Sequence, residues 1–198
     1  MSTSRLDSPA ARSAWSQAAL GAGAFVVLLW ALEIVDAAVG HRLDQYGVQP
    51  REGEGLLGIV FAPVLHAGWG HLAANTVPAL VLLFLVLVSG FARGLAVTGV
   101  IWVVGGVGVW LVAPDGTTHL GASVLIFGWL VYLLVRGFFT GRLREIALGV
   151  VLFVLYGGVL LGVMPGQEGI SWQGHLFGAA GGALAAYALS ERRGRGAL

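Results

Sequence analysis

The chain has no cysteine and no lysine, and charge of either sign is scarce. Without cysteine there can be no disulfide, thiolate nucleophile or Cys-ligated metal or iron–sulfur centre, and the redox state of the compartment leaves no mark. Only 11% of the 198 residues are charged, against roughly 25% in a soluble domain. Such a chain cannot cover its surface with solvated groups, so its solvent is largely lipid. Disorder needs high net charge and low hydrophobicity, and collagen a strict Gly-X-Y repeat, so both are excluded despite 32 glycines. A formal net charge of +1 excludes the dense basic patches that nucleic acid requires.

What is present is apolar: 57% of residues are hydrophobic and the mean hydropathy is +0.85. A helix crossing a hydrocarbon core of about 30 Å needs about 20 mostly apolar residues. Six stretches approach that length: Ala18–Val39, His71–Val88, Leu95–Ala113, Gly121–Phe139, Ile146–Met164 and Trp172–Leu189. They do not alternate apolar with polar residues as barrel strands do. The expected fold is an all-α membrane protein, a six-transmembrane helical bundle spanning 18–190, with an N-terminal tail (1–17) and a C-terminal tail (191–198). The first apolar run is too long for a signal peptide, and no small-residue cleavage site follows it. Leu56–Leu65 is too short to span and holds Pro63, so it is expected to lie re-entrant or in the interface.

Arginine placement sets the sidedness, because short cytoplasmic loops are enriched in Lys and Arg. With the N-terminus inside, nine arginines (positions 5, 12, 93, 136, 142, 144, 192, 193 and 195) face the cytoplasm and two (Arg42 and Arg51) face out. Both termini are then cytoplasmic. An arginine-only basic set with abundant alanine, glycine and valine fits a GC-rich bacterial genome, hence a bacterial cell membrane.

Polar groups inside spans are costly and are functional candidates by default. His71 and Asn75 are four apart in the second span, on one helix face and about 6 Å apart along the axis. Ser123 opens the fourth span, and His175 lies near the start of the sixth. Spans two, four and six all run inward from the outer face, so these four residues share one depth just below the outer surface. A hydroxyl and an imidazole at one level make a nucleophile and its general base. His71 and Asn75, with the free N–H groups at the start of the fourth helix, can donate to a developing oxyanion. That is acyl-transfer chemistry by a dyad, since no carboxylate lies near either histidine inside a span. Asp115 and Glu168, in outer loops, are expected to be solvated.

The residues His71-Leu72-Ala73-Ala74-Asn75, Gly121-Ala122-Ser123 and Gly174-His175-x-x-Gly178 resemble the three motifs of rhomboid intramembrane serine proteases, and the resemblance runs from Gly40 to Leu189. It implies that Ser123 is the nucleophile and His175 the general base. His71, Asn75 and the Ser123 backbone N–H would form the oxyanion hole. His66 matches a further histidine of the family's first loop, and Phe127 an aromatic that packs on the catalytic imidazole. Gly121 and Gly178 belong to the motifs themselves. The family's usual Gly-x-Ser-Gly reads Gly-Ala-Ser-Val here, with Val124 in place of the second glycine. A Trp-Arg pair often found nine residues before the His66 position is Leu57-Gly58. The implied partners are transmembrane protein substrates in a lipid bilayer, with no cofactor and no metal.

Other readings of the same residues stay open. Serines and asparagines in spans often serve helix packing, and Gly174, Gly178 and Gly182 form a small-residue face that admits close helix approach. A rhomboid-like membrane chaperone would keep the fold without the reaction. A metal-binding or transport protein would use His66, His71, His119 and His175, imidazole being suited to Zn²⁺. His119 and His41 are read as solvated loop residues. Glu33 and Asp36 are expected to reach the interface or cap a polar cavity, and Trp69, Trp110 and Trp172 to form an aromatic belt.

Overall fold

The computed structural model of the protein describes residues 9–167 and 169–190. Glu168 and the arginines at 5, 192, 193 and 195 therefore lie outside the described residues. Seven α-helices occur among them: α1 (Pro9–Ala38), α2 (Gly55–Phe61), α3 (Trp69–Val88), α4 (Phe91–Val112), α5 (Ser123–Thr140), α6 (Leu143–Tyr156) and α7 (Trp172–Leu189). The chain continues past α6 as a 3-10 turn to Val163, and short 3-10 turns cover Leu43–Tyr46 and Ala62–Val64. No strand forms among the described residues, where one isolated antiparallel bridge joins Val48 to His119.

The protein is a helical membrane bundle. Five segments are long and apolar enough to cross a membrane: Arg12–Ala38, Trp69–Val88, Phe91–Val112, Ser123–Thr140 and Leu143–Val163. α7 occupies the sixth expected stretch, but Gln173, His175 and its glycines dilute its apolar character. Val150, Phe153, Val154, Leu155 and Leu161 all stand exposed along the α6 segment, a continuous apolar surface that only lipid can cover. Burial ranks the spans: 67% of α5 is inside the bundle against 11% of the α6 segment, so α5 is the central helix. α2 and the Ala62–Val64 turn form the short element, too short to span, expected of Leu56–Leu65. Trp102 Nε1 ties it to α4 by donating to the Ile59 carbonyl at 2.7 Å.

Several of the polar groups left inside are tied to partners. Trp129 Nε1 donates to Thr98 Oγ1 between α5 and α4 at 3.0 Å, and Trp30 Nε1 to Thr76 Oγ1 between α1 and α3 at 3.1 Å. Arg136, 4% exposed, donates through Nε and Nη2 to the two Glu145 carboxylate oxygens at 3.2 and 3.0 Å. Thr140 Oγ1 also donates to Glu145. A buried charge pair is tolerated when its remaining hydrogen-bonding capacity is filled in this way. Asp115 remains largely exposed but accepts from Arg51 Nε at 2.7 Å, and Arg51 also donates to the Leu111 and Ala113 carbonyls at the end of α4.

α7 packs on α5 and α4 along its glycine face. A side chain at Gly178 would collide with the Val124 carbonyl, and one at Gly182 with that of Gly128. The two backbones are thus in direct contact, which only glycine permits. Gly178→Val should drive the helices apart and cost about 3 kcal/mol, the upper end of the usual overpacking penalty. At Gly99 of α4 nothing lies within 4 Å, so Gly99→Ala should be neutral or stabilising by about 1 kcal/mol. Thermal unfolding in detergent micelles checks the pair; equal tolerance of both changes would contradict the close α5–α7 contact.

Candidate functional site

Three helices of common direction, α3, α5 and α7, converge on a cavity of ≈ 520 Å³ lined by His71 and Asn75, Ser123 and Phe127, and His175. The cavity sits at the end of the bundle where those helices begin. Its remaining wall comes from the 117–120 loop, Val159 and the segment before α7. The residues expected to share one depth do share one cavity.

Ser123 is the first residue of α5, so its N–H has no intrahelical acceptor. The turn before it is shaped by Gly121, whose φ of +123° is closed to L side chains and whose missing Cβ would stand 2.7 Å from His71 Nε2. Gly121 N–H donates to the Ala62 carbonyl at 2.8 Å, and Ala122 N–H to His66 Nε2 at 3.4 Å. His66, 1% exposed, therefore holds the turn from behind rather than facing the cavity. Its ring meets that of His71 edge-on at 5.1 Å. Burial, and secondarily His71, push the His66 pKa down to about 3, which keeps Nε2 unprotonated and able to accept.

His175, 8% exposed, stacks on Phe127 with ring centroids 3.9 Å apart and planes 10° from parallel. Its Nδ1 lies 2.9 Å from the Gly162 carbonyl. A carbonyl only accepts, so Nδ1 carries the proton and Nε2 is left with a lone pair. Gly162 makes this possible: a Cβ there would lie 3.0 Å from His175 Nδ1 and 2.9 Å from Phe127 Cζ. Asn75 is 7% exposed, and its Nδ2 donor finds no acceptor among the described residues. Gly178 lies outside the cavity and acts through the helix contact described above.

Val124 takes an ordinary helical conformation and points at α4, where a side chain at Gly105 would collide with its Cγ2. The glycine missing at 124 has its counterpart at 105 on the facing helix.

Three features escaped the sequence. His119 is not a solvated loop residue. It is half-buried, with Nε2 2.8 Å from Thr117 Oγ1 and Nδ1 2.7 Å from Ser171 Oγ. Thr117 Oγ1 donates to the Pro114 carbonyl at 2.6 Å, so it accepts from Nε2–H, and Nδ1 accepts from the Ser171 hydroxyl. Ser171 in turn caps α7 by accepting from Gly174 N–H at 3.2 Å. His119 thus clips the loop leading to Ser123 onto the helix carrying His175. Its pKa is pushed down by burial. Ser three residues before Gly174 at a helix start is an N-cap signature that could have been read; Gly162 and the His119 clip carry no local signal. Glu33 and Asp36 are also buried, each 2% exposed, rather than reaching the interface. Among the described residues, His66, His71, His119 and His175 form no group with metal-ligand spacing.

The Rhomboid domain model matches residues 53–192, well over half of the chain. The chain belongs to the rhomboid family. Uncharacterized proteins of Mycobacterium tuberculosis and Mycobacterium bovis are each 50% identical to it over 181 residues, covering 86% of this chain and 75% of the relative. One from Mycobacterium leprae is 50% identical over the same length, covering 72% of the relative. No solved structure matches this rhomboid significantly.

Because the folded state holds His66 neutral down to about pH 3 while the unfolded chain takes up its proton near 6.5, the sign follows from linkage. The unfolded state binds more protons below pH 6.5, so stability falls as pH falls through that window. His66→Gln keeps an acceptor for Ala122 N–H without titrating, and should lose less thermal stability than wild type between pH 7 and pH 4. Identical pH slopes for the two proteins in micelles would contradict the buried neutral imidazole.

Proposed function

We propose that the protein is an intramembrane serine endopeptidase that hydrolyses peptide bonds in or near the transmembrane helices of membrane-protein substrates through a Ser123–His175 dyad. The observation that carries this reading is the shared cavity, with His175 turned by the Gly162 carbonyl so that Nε2 is its open position. Nε2 takes the Ser123 hydroxyl proton as Oγ attacks the scissile carbonyl carbon. The carbonyl oxygen becomes an oxyanion, stabilised by Asn75 Nδ2, His71 and the Ser123 N–H. Collapse breaks the C–N bond, and the imidazolium returns its proton to the leaving amine. Water, deprotonated by the same imidazole, then hydrolyses the acyl-enzyme and regenerates Ser123.

The family supports membrane-protein substrates in a bilayer. Single-span proteins whose helix top unwinds beside the bundle fit this site, because a protease attacks an extended peptide. Arg136, Arg142 and Arg144 lie at the end of α5 remote from Ser123, whereas Arg42 and Arg51 lie in the loop on the cavity side. By the positive-inside rule the cavity faces outward and both termini are cytoplasmic.

Ser123→Ala and His175→Ala should each abolish cleavage of a single-span substrate in proteoliposomes and labelling by a fluorophosphonate probe, with thermal stability retained. Asn75→Ala should lower kcat by roughly 10²–10³, with a smaller effect on KM. Near wild-type cleavage in either dyad variant would sink the assignment.

Val124 separates an active enzyme from an inert relative. With valine already in helical geometry against Gly105, Val124→Gly should change kcat/KM by no more than about tenfold, or about 1.4 kcal/mol of barrier, and lower thermal stability. A wild type inert on a substrate panel, switched on by Val124→Gly, would make the native chain a non-catalytic family member.

A further inference from the structure

At the C-terminal end of α1, on the cavity side of the bundle but apart from the cavity, three ionisable side chains converge, with a fourth, Glu33, one helical turn behind them. Asp36, His41 and Asp44 each offer a ligand atom, all within 4.8 Å of one another. Asp36 Oδ2 and His41 Nδ1 are 3.3 Å apart, close to the roughly 3.4 Å between two ligands held at about 2.1 Å by one tetrahedral ion. Asp36 Oδ1 is engaged elsewhere, accepting from Leu43 N–H at 2.6 Å, which leaves Oδ2 for a ligand role.

Glu33 is the second, independent observation. It lies three residues before Asp36, on the same helix face, and Asp36, Asp44 and His41 are the charges that act on it. It is 2% exposed, yet neither carboxylate oxygen has a hydrogen-bond partner among the described residues. Asp44 Oδ1 is likewise buried and without one. Three carboxylates crowded at a helix end, with orphaned oxygens, form a poor set of partners for each other. A cation supplies both the missing partner and the missing charge.

We propose that Asp36, His41 and Asp44 bind one divalent transition-metal ion, with the nearby buried Glu33 carboxylate adding to the negative charge that holds it. Carboxylates alone would suit Ca²⁺ or Mg²⁺, but an imidazole in the set favours Zn²⁺ or Mn²⁺. His41 binds through Nδ1, with its ring proton on Nε2. Its side chain is 49% exposed, which gives the ion a route in from solvent. The proposal departs from the expectation, drawn from the sequence, of a chain without a metal. The ion would pin the first loop to α1. That loop is continuous with the catalytic surroundings: Gly47 N–H donates to the Asp44 carbonyl at 3.1 Å, and Val48 pairs with His119 through two hydrogen bonds of 2.8 and 3.0 Å.

The test uses the full chain in detergent micelles, stripped with a chelator and titrated with Zn²⁺ or Mn²⁺ alone, with elemental analysis for stoichiometry. One ion per chain should bind and raise Tm by about 5–10 °C at about a hundred-fold excess over Kd. Ca²⁺ and Mg²⁺ should give no such shift. Asp44→Asn and His41→Ala should each abolish stoichiometric binding and the Tm gain. Both are preferred to Asp36→Asn, which also loses the cap on Leu43. Glu33→Gln should weaken binding at least about tenfold while the metal-free protein gains Tm, because a buried charge is removed. Failure of the wild type to bind, or equal binding by Asp44→Asn and His41→Ala, would overturn the proposal. The latter result would put the ion elsewhere, as on the cavity histidines.

Discussion

The direct contact of the α5 and α7 backbones is the constraint on which the site depends. Val124 and Gly128 present carbonyls to Gly178 and Gly182 with no side chain between them, and this fixes the axial register of the two helices. Ser123 stands immediately before Val124 and His175 three residues before Gly178, so both flank the same contact. Sliding or separating the helices would carry the hydroxyl and the imidazole apart. In lipid the hydrophobic effect does not press helices together, and packing of small residues takes its place. The glycine face is therefore both what assembles the bundle core and what sets the site.

Around that contact, short polar ties fix the remaining geometry. His66 and the Ala62 carbonyl hold the turn before Ser123 from the side of α2. Gly162 and Phe127 hold the His175 ring by one edge and one face. His119 and Ser171 join the loop ahead of α5 to the start of α7. Each tie uses one residue from a segment far away in sequence, and each is buried or half-buried, where an internal hydrogen bond is stronger than in water. The proposed dyad is thus set by elements on both sides of each member.

Much of this was legible. Apolar run lengths gave the helices, because a bilayer leaves few alternatives to a helix of about 20 residues. Those same runs gave the parity argument that put His71, Asn75, Ser123 and His175 at one level. The glycines of α7 announced a close contact, and the need to bring His175 to Ser123 pointed to α5 as the partner helix. What stayed hidden depends on tertiary neighbours. His119 reads as a loop histidine until Ser171, 52 residues on, is brought beside it. Gly162 is one glycine among 32, and its carbonyl and its lack of a side chain matter only once His175 and Phe127 are brought beside it. Glu33 and Asp36 look like residues near a helix end; their burial arises because the chain turns back over α1 through His41 and Asp44.

Val124 shows how a departure from a family pattern is absorbed. Glycine serves there either to allow a positive φ or to allow close approach, and the helical conformation at 124 removes the first need. The second is met from the opposite side, since Gly105 of α4 leaves the space that the valine methyl occupies. In this chain the α4–α5 contact accommodates the valine because Gly105 contributes no side chain there, the complementary fit that a packed core requires. The Val124 carbonyl still meets Gly178 without obstruction, because a side chain on one face of α5 does not alter the backbone presented by the other. The motif's second glycine is therefore dispensable for the α5–α7 register in this chain, whereas Gly178, whose every substituent would meet backbone, is not.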